Sequence, residues 1–204
     1  MTRSFTQVAA ALWLAAASTH SLAADFSFSG HIEFNNDVVQ VAFDISEPLS
    51  DLRLWTDSWA DGLNFDPGTT LWQRVGADHQ LTAQNDDDDT VAAGQGAFDS
   101  GLSLQGLAAG SYIVTLTAFP YQAAGSLLSQ GFAFDTAVDP ALVITRIADW
   151  NQPGYDANAN DQKGTFWRLN LSGVSQAAVV PEPQSWALMA AGLAMLLTVA
   201  RLRG

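Results

Sequence analysis

Two clusters of oxygen-bearing side chains are the residues of this chain best suited to do chemistry. In "DSWADGLNFDPG", Asp57, Asp61, Asn64 and Asp66 fall within ten residues of one another, and Gly62 among them is free to take the backbone angles that a wrapped loop needs. Ca²⁺ accepts six to eight oxygens in flexible geometry, so this loop is a candidate calcium site. Its spacing is not that of an EF-hand loop, which places acids at alternate positions and a Glu at the twelfth. Asn85, Asp86, Asp87, Asp88 and Asp89 make a second cluster, and the two loops together offer ligands for one ion or two. Runs of like charge also serve simply as solvated faces. Calcium is the one cofactor for which the sequence offers ligands.

Aromatic side chains offer a second chemistry, the stacking of indole rings on sugars. Trp55, Trp59, Trp72, Trp150 and Trp167 lie between the two ends of the chain. Trp55 follows the alternating Leu52 and Leu54, and Trp72 and Trp167 sit in strand-like runs, where aromatics fill a core or cover a sheet face. Trp59 and Trp150 lie in polar, loop-like segments, so these two are expected to be exposed and are the candidate sugar-stacking residues. Catalysis has little to work with. His31 and His79 stand near no nucleophile elbow and no His-Glu-x-x-His pattern, and the absence of cysteine excludes thiol catalysis and zinc–thiolate sites. The chain is therefore read as a protein that is not an enzyme. The Asn170-Leu171-Ser172 sequon is read as incidental.

The elements that carry these residues repeat every two residues. Phe26, Phe28, Ile32 and Phe34 alternate with polar residues, Asn35-Asn36-Asp37 makes a turn, and Val39, Val41, Phe43 and Ile45 alternate again, which predicts an opening β-hairpin. A second hairpin is predicted where "TTLWQRV" and "QLTAQ" flank Gly76-Ala77-Asp78-His79. "SYIVTLTAF", "ALVITRI" and "TFWRLNLSGV" supply later strands. No stretch between Asp25 and Val180 has a convincing amphipathic helical pattern, and no internal repeat is evident. Short strands between closely spaced turns predict an all-β fold, an antiparallel sandwich or jelly roll.

Charge is uneven along the chain. Of the 21 acidic residues only Glu182 lies outside residues 24–180, and of the 8 basic ones Arg3, Arg201 and Arg203 do, which leaves that stretch a formal charge of −15. Nucleic acid and anionic lipid need a basic patch, so neither is expected as a partner. Without cysteine the fold relies on packing alone, or on packing and bound metal.

The two ends read as export signals. Arg3 forms a thin basic region, Val8 to Ala17 is apolar, and Ser21-Leu22-Ala23 presents small residues where signal peptidase reads. Cleavage is expected after Ala23, with Asp25 a nearly equivalent start. At the other end, Trp186 to Ala200 carries no charge. At about 1.5 Å per residue those fifteen residues make roughly 23 Å of helix, short of a hydrocarbon core of about 30 Å. Trp186 at one interface, with Arg201 and Arg203 snorkelling to the other, completes the span. The arginines keep that end in the cytoplasm and leave the middle of the chain outside the inner membrane.

The Pro181-Glu182-Pro183 triplet, the apolar run and the "RLR" ending stand in the order of a sorting tail, and together they closely resemble the C-terminal signal of the PEP-CTERM proteins of Gram-negative bacteria. The resemblance implies processing near Pro181, Glu182 and Pro183 by an exosortase, a membrane protease-transpeptidase, in strains that make extracellular polysaccharide. A hydrophobic tail that is removed after it has held the precursor follows the logic of other anchor signals. "DLRLWTDS", "TTLWQRVGADHQLTAQNDDDD" and "LAAGSYIVTLTAF" resemble the pre-peptidase C-terminal type of β-sandwich, an accessory module of secreted peptidases, with Gly110 and Tyr112 matching its Gly-x-Tyr strand. No peptidase domain accompanies it here. The expected organisation is a signal peptide at 1–23, a β-sandwich ectodomain at 24–178 and a sorting tail at 179–204 with a single transmembrane helix at about 185–200. Signal peptidase, exosortase and exopolysaccharide are the expected partners, with the inner membrane holding the precursor. The mature form is expected at the outer cell surface or outside the cell, as a non-catalytic surface or matrix protein. The alternative is a carbohydrate-binding module that uses exposed tryptophans.

Overall fold

The computed structural model describes residues 24–133, 135, 143–152 and 162–181. Residues 1–23 and 182–204, and with them the expected signal peptide, Glu182, Pro183 and the apolar run of the tail, lie outside the described residues. Among the described residues no helix is long and apolar enough to cross a membrane.

Among the described residues nine strands form two antiparallel sheets. The first holds, in spatial order, β1 (Ala24–His31), β8 (Phe166–Val174), β3 (Leu52–Thr56) and β6 (Gly101–Leu104). The second holds β5 (Asp78–Asn85), β4 (Pro67–Val75), β7 (Gly110–Ala118), β2 (Val39–Ile45) and β9 (Ala177–Val179). The pairing is nested: β1 with β8, β2 with β7, β3 with β6 and β4 with β5.

Alternation along each strand drives this arrangement, because every second side chain must leave water. Leu52, Leu54, Leu169 and Leu171 of the first sheet meet Val41, Phe43, Leu71, Tyr112, Val114 and Leu116 of the second in one core cluster, so the two sheets face each other across it. Each such side chain contributes about 1.5–3 kcal/mol relative to exposure. Phe43 and Tyr112, opposite one another in the β2–β7 ladder, stack with ring centroids 5.5 Å apart, and the Tyr112 hydroxyl donates to the Ala108 carbonyl at 2.8 Å. Core packing here does the work that disulfides do in many exported domains.

The second sheet is also covered on its outer face. The segment after β7 folds back so that Tyr121 and Phe132 bury Trp72, with Leu81 and Ile113 packed alongside. The indole of Trp72 donates to Thr115 Oγ1 at 3.0 Å, which satisfies its one polar atom. Tyr121 donates a short hydrogen bond to Asp135, and burial beside that carboxylate raises the phenol's pKa.

Three expectations need correction. The opening hairpin does not form, since β1 and β2 belong to different sheets. Asp37 Oδ2 accepts from the backbone of Glu33 at 2.7 Å and Phe34 at 2.9 Å, turning the chain from one sheet to the other instead of back beside itself. "ALVITRI" is no strand over its described part. The Asn35 amide donates to the Val143 carbonyl at 3.1 Å and accepts from Thr145 N at 3.0 Å, doing the work of a neighbouring strand, and the chain then enters a single 3-10 turn at Ile147–Asp149. The folded part also runs past residue 178: β9 reaches Val179, and Val180 N donates to Gln40 O at 2.8 Å. The hairpin expected around Gly76-Ala77-Asp78-His79 forms between β4 and β5 but is tighter, since Asp78 and His79 already pair with Val75 and Arg74.

Candidate functional site

The loop after β3 is shaped by backbone strain. Ala60 and Asp61 have φ of 51° and 54°, followed by Gly62 at 86°. For the first two this left-handed conformation costs about 1–2 kcal/mol each. Compensation comes from several hydrogen bonds. Trp59 O accepts from Gly62 N at 3.2 Å and Asn64 N at 3.1 Å, and Asn64 Nδ2 donates to Ser58 O at 2.7 Å. The buried Lys163 ammonium donates to Gly62 O at 3.3 Å, so the chain itself brings a cation to this loop.

Two of the four oxygen ligands expected here have other tasks: Asn64 holds Ser58 O, and Asp57 binds an arginine. Asp57 pairs with Arg168, Nε to Oδ1 at 2.6 Å, and Arg168 Nη2 also donates to the Asp57 carbonyl at 3.4 Å. Asp66 is buried, its N–H donating to Gln152 Oε1 at 2.8 Å and its carbonyl accepting from Gln152 Nε2 at 3.2 Å. In the second cluster, Asp88 Oδ1 accepts from Thr90 N at 2.9 Å and Thr90 Oγ1 at 2.6 Å, while Asp86 accepts from Gln122 at 3.3 Å. Burial, with the neighbouring Asp86 charge adding to it, raises the Asp87 pKa. Among the described residues no three His, Asp or Glu side chains gather closely enough to hold a metal ion.

Asp57→Asn tests what its carboxylate is for. The pair with Arg168 is partly exposed and worth no more than about 1 kcal/mol. A fall in melting temperature of roughly 2–4 °C is expected, equal in EDTA and in millimolar calcium. A fall seen only in calcium makes Asp57 an ion ligand instead.

The residue that organises both loops is one that the acidic patterns do not single out. Asp99 is 1% exposed and accepts four hydrogen bonds: from Thr56 Oγ1 at 2.8 Å, Ser58 N at 2.9 Å and Trp59 N at 3.1 Å on one side, and from Gly96 N at 2.8 Å on the other. Gln95 extends the stitching, donating to Asp88 O at 2.8 Å and Ser100 O at 3.1 Å and accepting from Ala92 N at 2.8 Å. The sequence signal for this hub is glycine on both flanks. A Cβ on Gly96 would come within 2.5 Å of the Trp59 ring, and one on Gly101 within 2.6 Å of Val91.

That closeness also overturns the tryptophan expectation. Trp59 and Trp150 are each 6% exposed. Trp59 lies under Gly96 and against Phe98, ring centroids 5.1 Å apart, and Trp150 belongs to the main core. Neither presents an open ring to a sugar. Loop context misled because these loops fold back over the ends of the sheets.

On the outer face of the second sheet a concavity of about 460 Å³ collects Asp44, Arg74, His79, Ser111 and Gln176. Arg74 and His79 are opposite one another in the β4–β5 ladder. Burial lowers the His79 pKa, and the Arg74 charge adds to that, against a smaller opposing effect of Asp78. Both effects favour the neutral imidazole, the form that suits hydrogen bonding more than charge pairing. At the far side Gln176 Nε2 donates to Asp44 Oδ2 at 3.4 Å. His31, at the end of β1, shares a 2.8 Å hydrogen bond with Thr165 Oγ1. The sequon residue Asn170 is 8% exposed in the middle of β8, which closes it to glycosylation in the folded chain.

No protein-family model matches the chain, and no curated protein sequence matches it. Among solved structures it is similar to the crystal structure of the Yersinia pseudotuberculosis-derived mitogen, at 11% identity and a TM-score of 0.42, over 79% of this chain and 97% of that one.

Proposed function

We propose that this chain is an exported, non-catalytic surface or matrix protein, held at the inner membrane by its C-terminal tail and sorted by an exosortase to the outer surface, where it associates with exopolysaccharide. In this reading the nested strand pairs are those of a jelly roll, with β9 added at one edge. The observation that supports the reading is how the described residues approach the Pro-Glu-Pro triplet. Among the described residues Val180 N makes the last ladder-like bond, to Gln40 O at 2.8 Å, and exposed Pro181, which has no N–H to donate, opens the Pro-Glu-Pro triplet. At the other end β1 begins at Ala24, directly after the expected signal-peptidase site. Cuts at either place leave every strand among the described residues whole, which suits a domain that must outlive its own processing.

Mass spectrometry of the protein exported by cells with an active exosortase tests this. The expected mature chain starts at Ala24 or Asp25 and ends between Val180 and Pro183. A mature chain still ending at Gly204 sinks the sorting proposal.

A further inference from the structure

Strand β1 leaves a long sheet edge without a neighbour among the described residues, since it pairs only with β8. The other edges are short or covered. β6 and β9 have four and three residues, and along β5 Leu81 N donates to Ser126 O at 2.9 Å. β1 runs for eight residues with no Pro or Lys, and its one register shift lies at its very start, between Ala24 and Asp25. Proline, lysine and bulges are what blunt such an edge, because its unpaired N–H and C=O groups are a template for another strand.

Which backbone groups face that edge follows from the ladder. Ile32 N donates to Thr165 O at 3.0 Å, and antiparallel alternation gives Gly30, Phe28 and Phe26 the same direction, toward β8. The N–H and C=O of Asp25, Ser27, Ser29 and His31 therefore point to the open side. Just past His31 that side is taken, as Glu33 O accepts from Ile147 N at 2.9 Å. The same four residues expose their side chains, an acid at one end and an imidazole at the other. His31 Nδ1 is engaged by Thr165 Oγ1 at 2.8 Å, which leaves Nε2 for a second partner. On the inner face Phe26 and Phe28 are only partly buried against the core, their rings stacked at 6.4 Å.

We infer that β1 pairs antiparallel with β1 of a second copy of this chain, about a two-fold axis at Phe28. On that axis Asp25 lies opposite His31 of the other copy and Ser27 opposite Ser29, all of them residues whose backbone faces the edge. The ladder then gains about eight backbone hydrogen bonds, and each carboxylate meets the free Nε2 of an imidazole. Phe28 meets its own copy at a position where Cα atoms approach to about 4.5 Å, so pairing finishes the burial that one copy leaves incomplete. Phe26 lies opposite Gly30, over which the Trp167 ring is laid. Neighbouring registers lose this match. An axis at Ser29 sets Asp25 against Glu33, whose carbonyl is already taken, and one at Ser27 leaves His31 opposite Ala23, before the start proposed above for the mature chain.

Light scattering after size-exclusion chromatography of the exported chain, in detergent and across a concentration series, tests it. At physiological ionic strength repulsion between two acidic copies is screened beyond about 8 Å, and a dimer is expected at tens-of-micromolar concentration. Ser27→Pro removes an N–H that faces the open edge and none that β8 uses, so this chain is expected to fold and to stay monomeric. His31→Glu sets like charges opposite one another at both ends of the pairing and is expected to weaken the dimer about tenfold. Adding Asp25→His to the His31→Glu chain restores the match and is expected to restore the dimer, which keeps the test valid if Ser27→Pro does not fold. A wild-type chain that stays monomeric throughout overturns the inference, as does a dimer that survives Ser27→Pro in a folded chain. Failure of Asp25→His to rescue His31→Glu overturns the register at Phe28. Intact mass of each chain reports its termini, so a failure to pair is told apart from a failure of the processing proposed above.

Discussion

Replacing Asp99 with Ala is expected to lower the melting temperature by roughly 10 °C or more. Its carboxylate accepts four hydrogen bonds at 1% exposure, three of them from the buried residues Thr56, Ser58 and Trp59. Each buried donor left without an acceptor costs about 1–3 kcal/mol, which places the total near 3–5 kcal/mol. For a domain of this size 1 kcal/mol moves the midpoint by roughly 2–4 °C. Asp99→Asn keeps the shape and, with its oxygen toward Thr56, Ser58 and Trp59, turns its amide N–H₂ only toward Gly96 N–H, so no more than about half the loss is expected. Thermal unfolding followed by circular dichroism measures both. A loss under about 1 kcal/mol for Asp99→Ala would show that the strained turn and the acidic loop hold without it.

The second large effect concerns Glu182. Under the sorting proposal Glu182→Ala is expected to abolish processing, so that the precursor accumulates in the membrane fraction with residues 184–204 still attached. The melting temperature of the domain should not move, because the last ladder-like bond among the described residues is made by Val180 and the substitution lies beyond it. Fractionation with intact-mass measurement reads the first outcome, and unfolding of the solubilised chain reads the second. Normal release of the Glu182→Ala chain would show that the triplet is not what the protease reads. A lowered melting temperature would show instead that the domain extends into the tail.

Much of the architecture was legible because period two is a local property. Val39–Ile45, Ser111–Ala118 and Phe166–Val174 each carry enough alternating apolar side chains to identify a half-buried strand without any partner. Partnership is non-local, and there the reading failed. Nothing in Phe26–Phe28 or Val41–Phe43 says that their neighbours are Leu171–Leu169 and Val114–Tyr112 in two different sheets.

The tryptophans show the same boundary from another side. Trp55 was read with Leu52 and Leu54, although strict alternation sets it with Arg53 on the opposite face. That information was present in the sequence. The burial of Trp59 was not, since it depends on Asp99, 40 residues away, drawing the loop inward. Polar composition reports a loop correctly but does not report whether the loop covers something.

The nested pairing has a consequence for the order in which the domain takes shape. Of the nested pairs only β4 with β5 is joined by a tight turn, and a hairpin of that kind forms in microseconds. Each outer pair must close a longer stretch of chain, ending with β1 on β8, and such non-local pairing is slow. A chain that emerges N-terminus first therefore presents β1 and β2 with their edges bare until Phe166–Val179 has followed them out. Only the five residues 181–185 separate Val180 from the apolar run that starts at Trp186. Under the sorting proposal, the last strand to dock would thus be tethered within a few residues of the bilayer, and the domain would complete itself against the membrane surface before anything could release it.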